Sequence, residues 1–277
     1  MSYHAPATLD EALRLAAQGG GKVIAGGTDV YPAMAQGQTP DRFLDITRIG
    51  GLRGINRTEA GWRIGAATTW TDVIRASLPP GFDALKQAAR EVGSVQIQNA
   101  ATLCGNLCNA SPAADGVPPL LILDAEVELA SAENGTRTVP LRDFISGVRK
   151  TARREDELVT AVSIPTPPQD MGSAFEKLGS RRYLVISITM TAASVSCDAA
   201  GKITQARVAV GACSAVAQRL PALEAALIGQ DARRAEVDPA HLSALSPISD
   251  VRGTAAFRQE VVATQCARAI ARAAGHE

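Results

Sequence analysis

Apolar residues recur at helical spacing at Leu9, Ala12, Leu13 and Ala16, with Thr8 and Glu11 set as N-cap and third helical residue of a capping box. The pattern predicts a helix that Gly19-Gly20-Gly21 ends. The apolar run 22–25 predicts a short buried strand, and 43–46, 55–57 and 62–66 read as further strands, the last two joined by the turn Glu59-Ala60-Gly61. Thr71-Asp72 is expected to cap a helix reaching about Ala76, and 83–92 reads as another helix. Residues 118–123 form a compact apolar run. Residues 127–130 alternate as a strand closed by the Asn134-Gly135 turn. A strand over 158–164 precedes Pro165-Thr166-Pro167-Pro168, the clearest linker.

Beyond the linker, 172–178 and 186–197 read as strands, Ala199-Ala200-Gly201 as a hairpin turn and 203–212 as the returning strand. Helices are expected over 221–227 and 254–274, the latter with Phe257, Val261, Val262, Cys266 and Ile270 on one face. Strands followed by helices make this third an α+β unit. The 277 residues allow one large or two moderate domains.

Charge changes the picture by exclusion. Lys plus Arg and Asp plus Glu are both 28, a balance that argues against a nucleic-acid partner or a charged membrane surface. No apolar run is long enough to span a bilayer. The start, Met1-Ser2-Tyr3-His4-Ala5-Pro6, has no basic stretch leading into an apolar one, so a cytoplasmic location is expected. Five scattered cysteines (Cys104, Cys108, Cys197, Cys213, Cys266) read as reduced thiols. Neither they nor the three separated histidines have the spacing of a metal or iron–sulfur site. No Ser/His/Asp set or paired carboxylates suggest a catalytic residue, and none is assigned.

The chemistry concentrates in two glycine-rich turns. The first is Val23-Ile24-Ala25-Gly26-Gly27-Thr28-Asp29-Val30, and the second begins Thr102-Leu103-Cys104-Gly105-Asn106 and runs on to Asn109-Ala110-Ser111-Pro112-Ala113-Ala114-Asp115. Such turns expose successive backbone N–H groups, which form a concave anion site, and glycine lets the chain take positive φ or approach a ligand closely. Neither turn holds Lys or Arg; the nearest cation in sequence is Lys22, so main-chain dipoles would do most of the binding of a phosphate. The first turn lacks the Lys-Ser/Thr of a P-loop and the spacing of a dinucleotide fingerprint. An ordinary strand-to-helix turn is the plain alternative at each place.

AGGTD at 25–29, TLCGN at 102–106 and NASPAAD at 109–115 together resemble the FAD-binding medium subunits of the molybdenum hydroxylases, the family of xanthine dehydrogenases and aerobic carbon monoxide dehydrogenases. The likeness continues in AFEKL at 174–178, in Arg181-Arg182 and in RGTAAFR at 252–258. It implies an α+β protein: a vanillyl-alcohol-oxidase/PCMH-type FAD-binding domain over 1–166, made of two α/β lobes (about 1–57 and 58–166), then a smaller α+β domain over 170–277. It implies non-covalent FAD here, with molybdopterin on a large partner subunit and [2Fe-2S] clusters on a small one, in a dimer of heterotrimers. Electrons would pass from those clusters through FAD to an external acceptor.

The resemblance also implies roles. Gly26 and Gly27 would offer N–H groups to the pyrophosphate and Thr28 a hydroxyl. Asp29 suits a helix cap or a ribityl contact, since like charges repel. Thr102, Gly105 and Asn106 would serve similarly. Cys104 stands where the family usually has glycine, and if that position needs positive φ the cysteine is strained by roughly 1 kcal/mol or more. Asn109 is a candidate ribose or phosphate contact. Asp115 would hydrogen-bond FAD or cap the next helix. Val92 and Val159 would pack against the flavin or serve as plain core, and Phe175 and Lys177, sharing a strand face, would lie at the isoalloxazine. A stand-alone flavin oxidoreductase and a flavin-free docking paralogue are the alternative readings.

Overall fold

The computed structural model describes residues 1–276; Glu277, the last residue of the expected second domain, lies outside them. Its first part carries two sheets. Strands β1 (Ser2–His4), β2 (Lys22–Ile24) and β3 (Arg42–Asp45) form a parallel sheet in the order β1-β3-β2, with helices α1 (Leu9–Ala17) and α2 (Val30–Ala35) in the connections. Thr8 caps α1 by accepting from Glu11 N, while the Glu11 carboxylate takes the Ala7 N–H. Ala12, Leu13 and Ala16 form its buried stripe.

The second sheet is antiparallel, ordered β4-β5-β10-β6-β7: β4 (Ile55–Thr58), β5 (Gly61–Gly65), β6 (Glu126–Ser131), β7 (Gly135–Pro140) and β10 (Leu158–Pro165). Strand β4 pairs with β5, so the change of sheet falls before Ile55. Between these strands run α3 (Trp70–Arg75), α4 (Asp83–Glu91), α5 (Val95–Ala100), α6 (Leu103–Asn109) and α7 (Val117–Ile122), then α8 (Leu141–Phe144) and a small hairpin, β8 (Ile145–Gly147) with β9 (Lys150–Thr151). The apolar run at 118–123 is thus a helix, buried throughout. The cap of α3 is Thr69 rather than Thr71: its hydroxyl accepts from Asp72 N, and the Asp72 carboxylate takes the Thr69 N–H, closing a capping box.

A third, antiparallel sheet follows, β11 (Gly172–Leu178), β12 (Thr189–Cys197), β13 (Ile203–Gly211) and β14 (Gln218–Arg219), with α9 (Pro221–Leu227) and the long α10 (Ala255–Ala273). Strand β12 starts at Thr189, three residues later than the pattern at 186 suggests; Ile186 is exposed. The period-two alternation splits this sheet between two cores. Phe175, Met190, Ala192 and Ala209 join the core of the first part, while Ala174, Ala193, Val195, Val208 and Val210 pack with α9 and α10. Burial on both faces explains the nearly unbroken apolar runs.

The buried face of α10 differs from the sequence pattern. Phe257 is exposed, and Arg258 is buried with Val262, Cys266 and Ile270. The guanidinium donates to the carbonyls of Ile188 (2.7 Å) and Ala212 (2.9 Å) and pairs with Asp250 at 2.7 Å, so the buried charge is compensated.

Candidate functional site

The first glycine turn links β2 to α2. Tyr31 N donates to Gly27 O (3.0 Å) and Ala33 N to Asp29 O (3.2 Å), but the N–H groups of Gly26, Gly27, Thr28 and Asp29 donate to nothing among the described residues. Four consecutive unpaired donors are unusual in a folded chain unless something outside it accepts from them. Two glycines permit the arrangement for different reasons. Gly27 has φ +69°, where a side chain is strained. Gly26 faces α5 so closely that a Cβ would overlap the Ala100 carbonyl, so its missing side chain lets the two turns meet.

The second turn is the start of a helix, not an open loop. Thr102 caps α6, its Oγ1 accepting from Gly105 N at 3.0 Å, and Asn106 N donates to Thr102 O at 3.1 Å. Gly105 N–H is therefore not free for a ligand, contrary to the expectation from sequence. The free donor is Cys104 N–H, in the first helical turn where no intrahelical acceptor precedes it. Cys104 is helical, so the glycine-to-cysteine departure carries no strain, and burial pushes its thiol well above the usual range. The Asn106 side chain accepts from Gly116 N at 3.3 Å.

Both turns open on one cleft of about 520 Å³, within the ordinary range for a ligand site. It is lined by Val23, Ala25, Gly26, Gly27, Thr28, Asp29, Val30, Val92, Thr102, Cys104, Gly105, Asn106, Asn109 and Val159. Fourteen expected residues from separate stretches thus converge, with Val92 and Val159 on apolar walls.

Four do not line it. Ile24 is buried in the core at the end of β2. Phe175 is buried in the core that joins the third sheet to the first part. Lys177 and Asp115 hold each other: Nζ lies 2.7 Å from the Asp115 carboxylate and 3.1 Å from Glu91 O, with both side chains nearly buried (7% and 10% exposed). Ser187 Oγ donates to the second Asp115 oxygen at 2.5 Å. Burial raises the Asp115 carboxyl and the Lys177 charge opposes that rise. Asp115 is no helix cap; Gly116 occupies that position without a side-chain bond. Lys177 lines a smaller cavity of about 280 Å³ with Glu91 and Gly179, and Glu91's neighbour Val92 lines the large cleft.

The sequence reading missed Arg149 and Arg153, which the β8–β9 hairpin and the loop after it bring to the cleft, where Lys22 also sits. Main-chain dipoles are therefore not alone at the site. The signal was the basic stretch Arg149-Lys150 with Arg153-Arg154, beyond local reach of either turn. Arg149 donates to the side-chain and main-chain oxygens of Asn109, and Asn109 Nδ2 donates to Asp29 at 2.8 Å.

Among the described residues, no group of His, Cys, Asp and Glu side chains could hold a metal ion, and no helix is long and apolar enough to cross a membrane.

Comparison with known proteins bears on the same stretches. A family model described as the FAD-binding domain in molybdopterin dehydrogenase matches residues 1–167, and one described as the CO dehydrogenase flavoprotein C-terminal domain matches 173–273. The chain is 34% identical to a xanthine dehydrogenase FAD-binding subunit of Escherichia coli, covering 98% of this chain and 95% of the relative. It is 32% identical to the carbon monoxide dehydrogenase medium chain of Afipia carboxidovorans, covering 98% and 96%. The structure superimposes on a chain of reconstituted CO dehydrogenase from Oligotropha carboxidovorans with a TM-score of 0.91 at 27% identity, covering 100% of this chain and 98% of that one.

Proposed function

Because this chain belongs to the FAD-binding medium subunits of the molybdenum hydroxylases, we propose that its cleft holds FAD with the diphosphate against the first glycine turn and Cys104 N–H. The observation that carries this placement is the run of unpaired N–H groups from Gly26 to Asp29, in the same cleft as the start of α6 with its unpaired Cys104 N–H. The donor set suits an anion, and Lys22 and Arg153 add positive charge at the same lining. Val92 and Val159 give apolar surface for a ring system. The flavin end is assigned to the Val92 side, toward the cavity that Lys177 lines, where a cation at the ring edge would favour a reduced, anionic flavin.

The domain division follows the same reading: 1–166 binds the cofactor, and 170–277 braces it through β11. That brace has visible bonds: Phe175 N donates to Gln87 Oε1 at 2.8 Å, and Ser173 Oγ accepts from Ala84 N at 3.0 Å. Bound FAD would supply a carrier between [2Fe-2S] clusters of a small partner subunit and an external acceptor, while the molybdopterin chemistry sits on a large subunit. This chain's residues bind and orient the cofactor and shield its inner face from water. The assembly would be a cytoplasmic dimer of heterotrimers. Several relatives are named as a subunit or a medium chain, which supports a multi-subunit complex.

The test is native copurification with metal and flavin analysis. The proposal expects a yellow chain recovered with two further subunits, molybdenum and iron. A chain that turns over substrate alone, without either metal, would instead be a stand-alone oxidoreductase.

A further inference from the structure

Asp29 poses a problem that the cofactor reading leaves open. Its carboxylate sits among the unpaired N–H groups of the first turn, where a diphosphate would be repelled by it. It is the N-cap residue of α2 yet makes no capping bond. Its one side-chain partner is instead Asn109 Nδ2, at 2.8 Å. Asn109, at the end of α6, turns its amide oxygen to the Arg149 guanidinium, which also donates to Asn109 O at 3.1 Å. The amide therefore lies between a full negative and a full positive charge, so both of its bonds are charge-assisted.

The backbone is arranged for this contact. Arg149 has φ +58° and Ala110, the C-cap of α6, has φ +46°; both are left-handed positions that residues with a Cβ seldom take. They are locked together by Arg149 N donating to Ala110 O at 2.9 Å. The three side chains come from three segments, and all of them line the large cleft. Arg149 and Asp29 are solvent-exposed, so the chain of contacts lies at the mouth and not in the floor.

We propose that Arg149, Asn109 and Asp29 form a polar clasp across the mouth of the cleft, which sets how fast FAD leaves. Arg149 is its positioning residue: it acts through Asn109 on the first turn. The clasp neutralises the Asp29 carboxylate next to the diphosphate site and ties that turn to α6 and the β8–β9 hairpin. This inference rests on the cleft being the FAD site.

The test uses the full chain loaded with FAD, diluted so that release is followed by the rise in flavin fluorescence. Arg149→Ala and Asn109→Ala, which each break the clasp and leave the Asp29 charge in place, should release FAD about three- to tenfold faster at low salt, the range for losing partly exposed charge-assisted bonds. The double variant should release no faster than either single one, since the contacts act in series. Wild-type release should speed up as salt rises, and this response should shrink in the variants, to the part owed to Lys22 and Arg153. Arg149→Lys should restore part of the slow release. Melting temperatures of the FAD-free variants serve as fold control. If Arg149→Ala does not fold, Asn109→Ala, which breaks the same clasp at its middle member, decides alone. Wild-type release rates in folded variants, or multiplicative effects in the double variant, overturn the clasp. Gly26→Ala separates the two ideas. If it keeps FAD normally, the cleft is not the site; if it loses FAD while the clasp variants release at the wild-type rate, only the clasp is wrong.

Discussion

Gly26→Ala is the smallest change that should disable the site. The Cβ it adds would overlap the Ala100 carbonyl, with the carbonyl carbon and Ala101 Cα close behind. These are backbone atoms, so no rotamer change relieves the clash. The first turn must retreat from α5 by about an ångström to regain van der Waals separation. Overpacking of this kind costs about 1–3 kcal/mol. The cost falls on the closed arrangement in which both turns face one cleft, so it should appear chiefly as lost cofactor affinity, about 5- to 150-fold. Gly27→Ala makes a useful contrast. There the obstacle is φ +69° and the ring of Tyr31, an exposed side chain that can swing aside. Its cost is the left-handed penalty of about 1–2 kcal/mol, without forcing the turns apart. Gly27→Val adds a branched side chain at the same φ and should abolish FAD retention while leaving the fold largely intact. The assay is the flavin-to-protein absorbance ratio after desalting, with FAD titration and melting of the FAD-free chains. A Gly26→Ala protein that folds and binds FAD with wild-type affinity would refute the argument from close approach.

Three further outcomes are expected. Lys177→Ala strands the Asp115 carboxylate in a nearly buried site, so stability should fall by about 3–5 kcal/mol, and the flavin reduction potential should move more than FAD affinity does; an unchanged potential would remove Lys177 from the flavin's surroundings. Asp250 is held down to about 2, first by hydrogen bonding to Arg252 and then by the nearby Arg258 charge. Its folded pKa lies below the unfolded value, so its contribution to stability is present above about pH 4 and is lost as pH falls through about 2. Asp250→Asn should therefore flatten the pH dependence of the melting temperature across that window, and an unaltered acid limb would count against the pairing. Cys213 and Cys266 are buried, with burial pushing each thiol to about 12, and Cys104 is raised as well. Mass spectrometry after alkylation of the native chain should find all three unmodified until it is unfolded.

Local rules carried much of the fold. The turn at Asn134-Gly135, the strand Gly172–Leu178 and the helix Pro221–Leu227 are set by period, proline and glycine within their own segments, and the structure has them at the expected places. The misreadings have one local cause and several long-range ones. Thr69 takes the cap of α3 through the capping box it closes with Asp72, a Thr-x-x-Asp pattern that starts two residues before the expected cap. Arg258 is inside because Asp250 and two distant carbonyls receive it. At the site, the small-residue turns were visible, and so was their shared cleft once the resemblance joined them. The Thr102 hydroxyl's claim on Gly105 was not, since the segment was read as a loop and not as a helix start. Nor were Arg149 and Arg153, whose arrival depends on how the β8–β9 hairpin folds back onto the end of α6.

The most direct measurement is a crystal structure of the FAD-loaded chain at a resolution that fixes the phosphates. Diphosphate oxygens within hydrogen-bond distance of N–H groups between Gly26 and Asp29, with Cys104 N–H on the opposite side, would agree with the account. A diphosphate bound elsewhere, with those four donors turned to water, would contradict it.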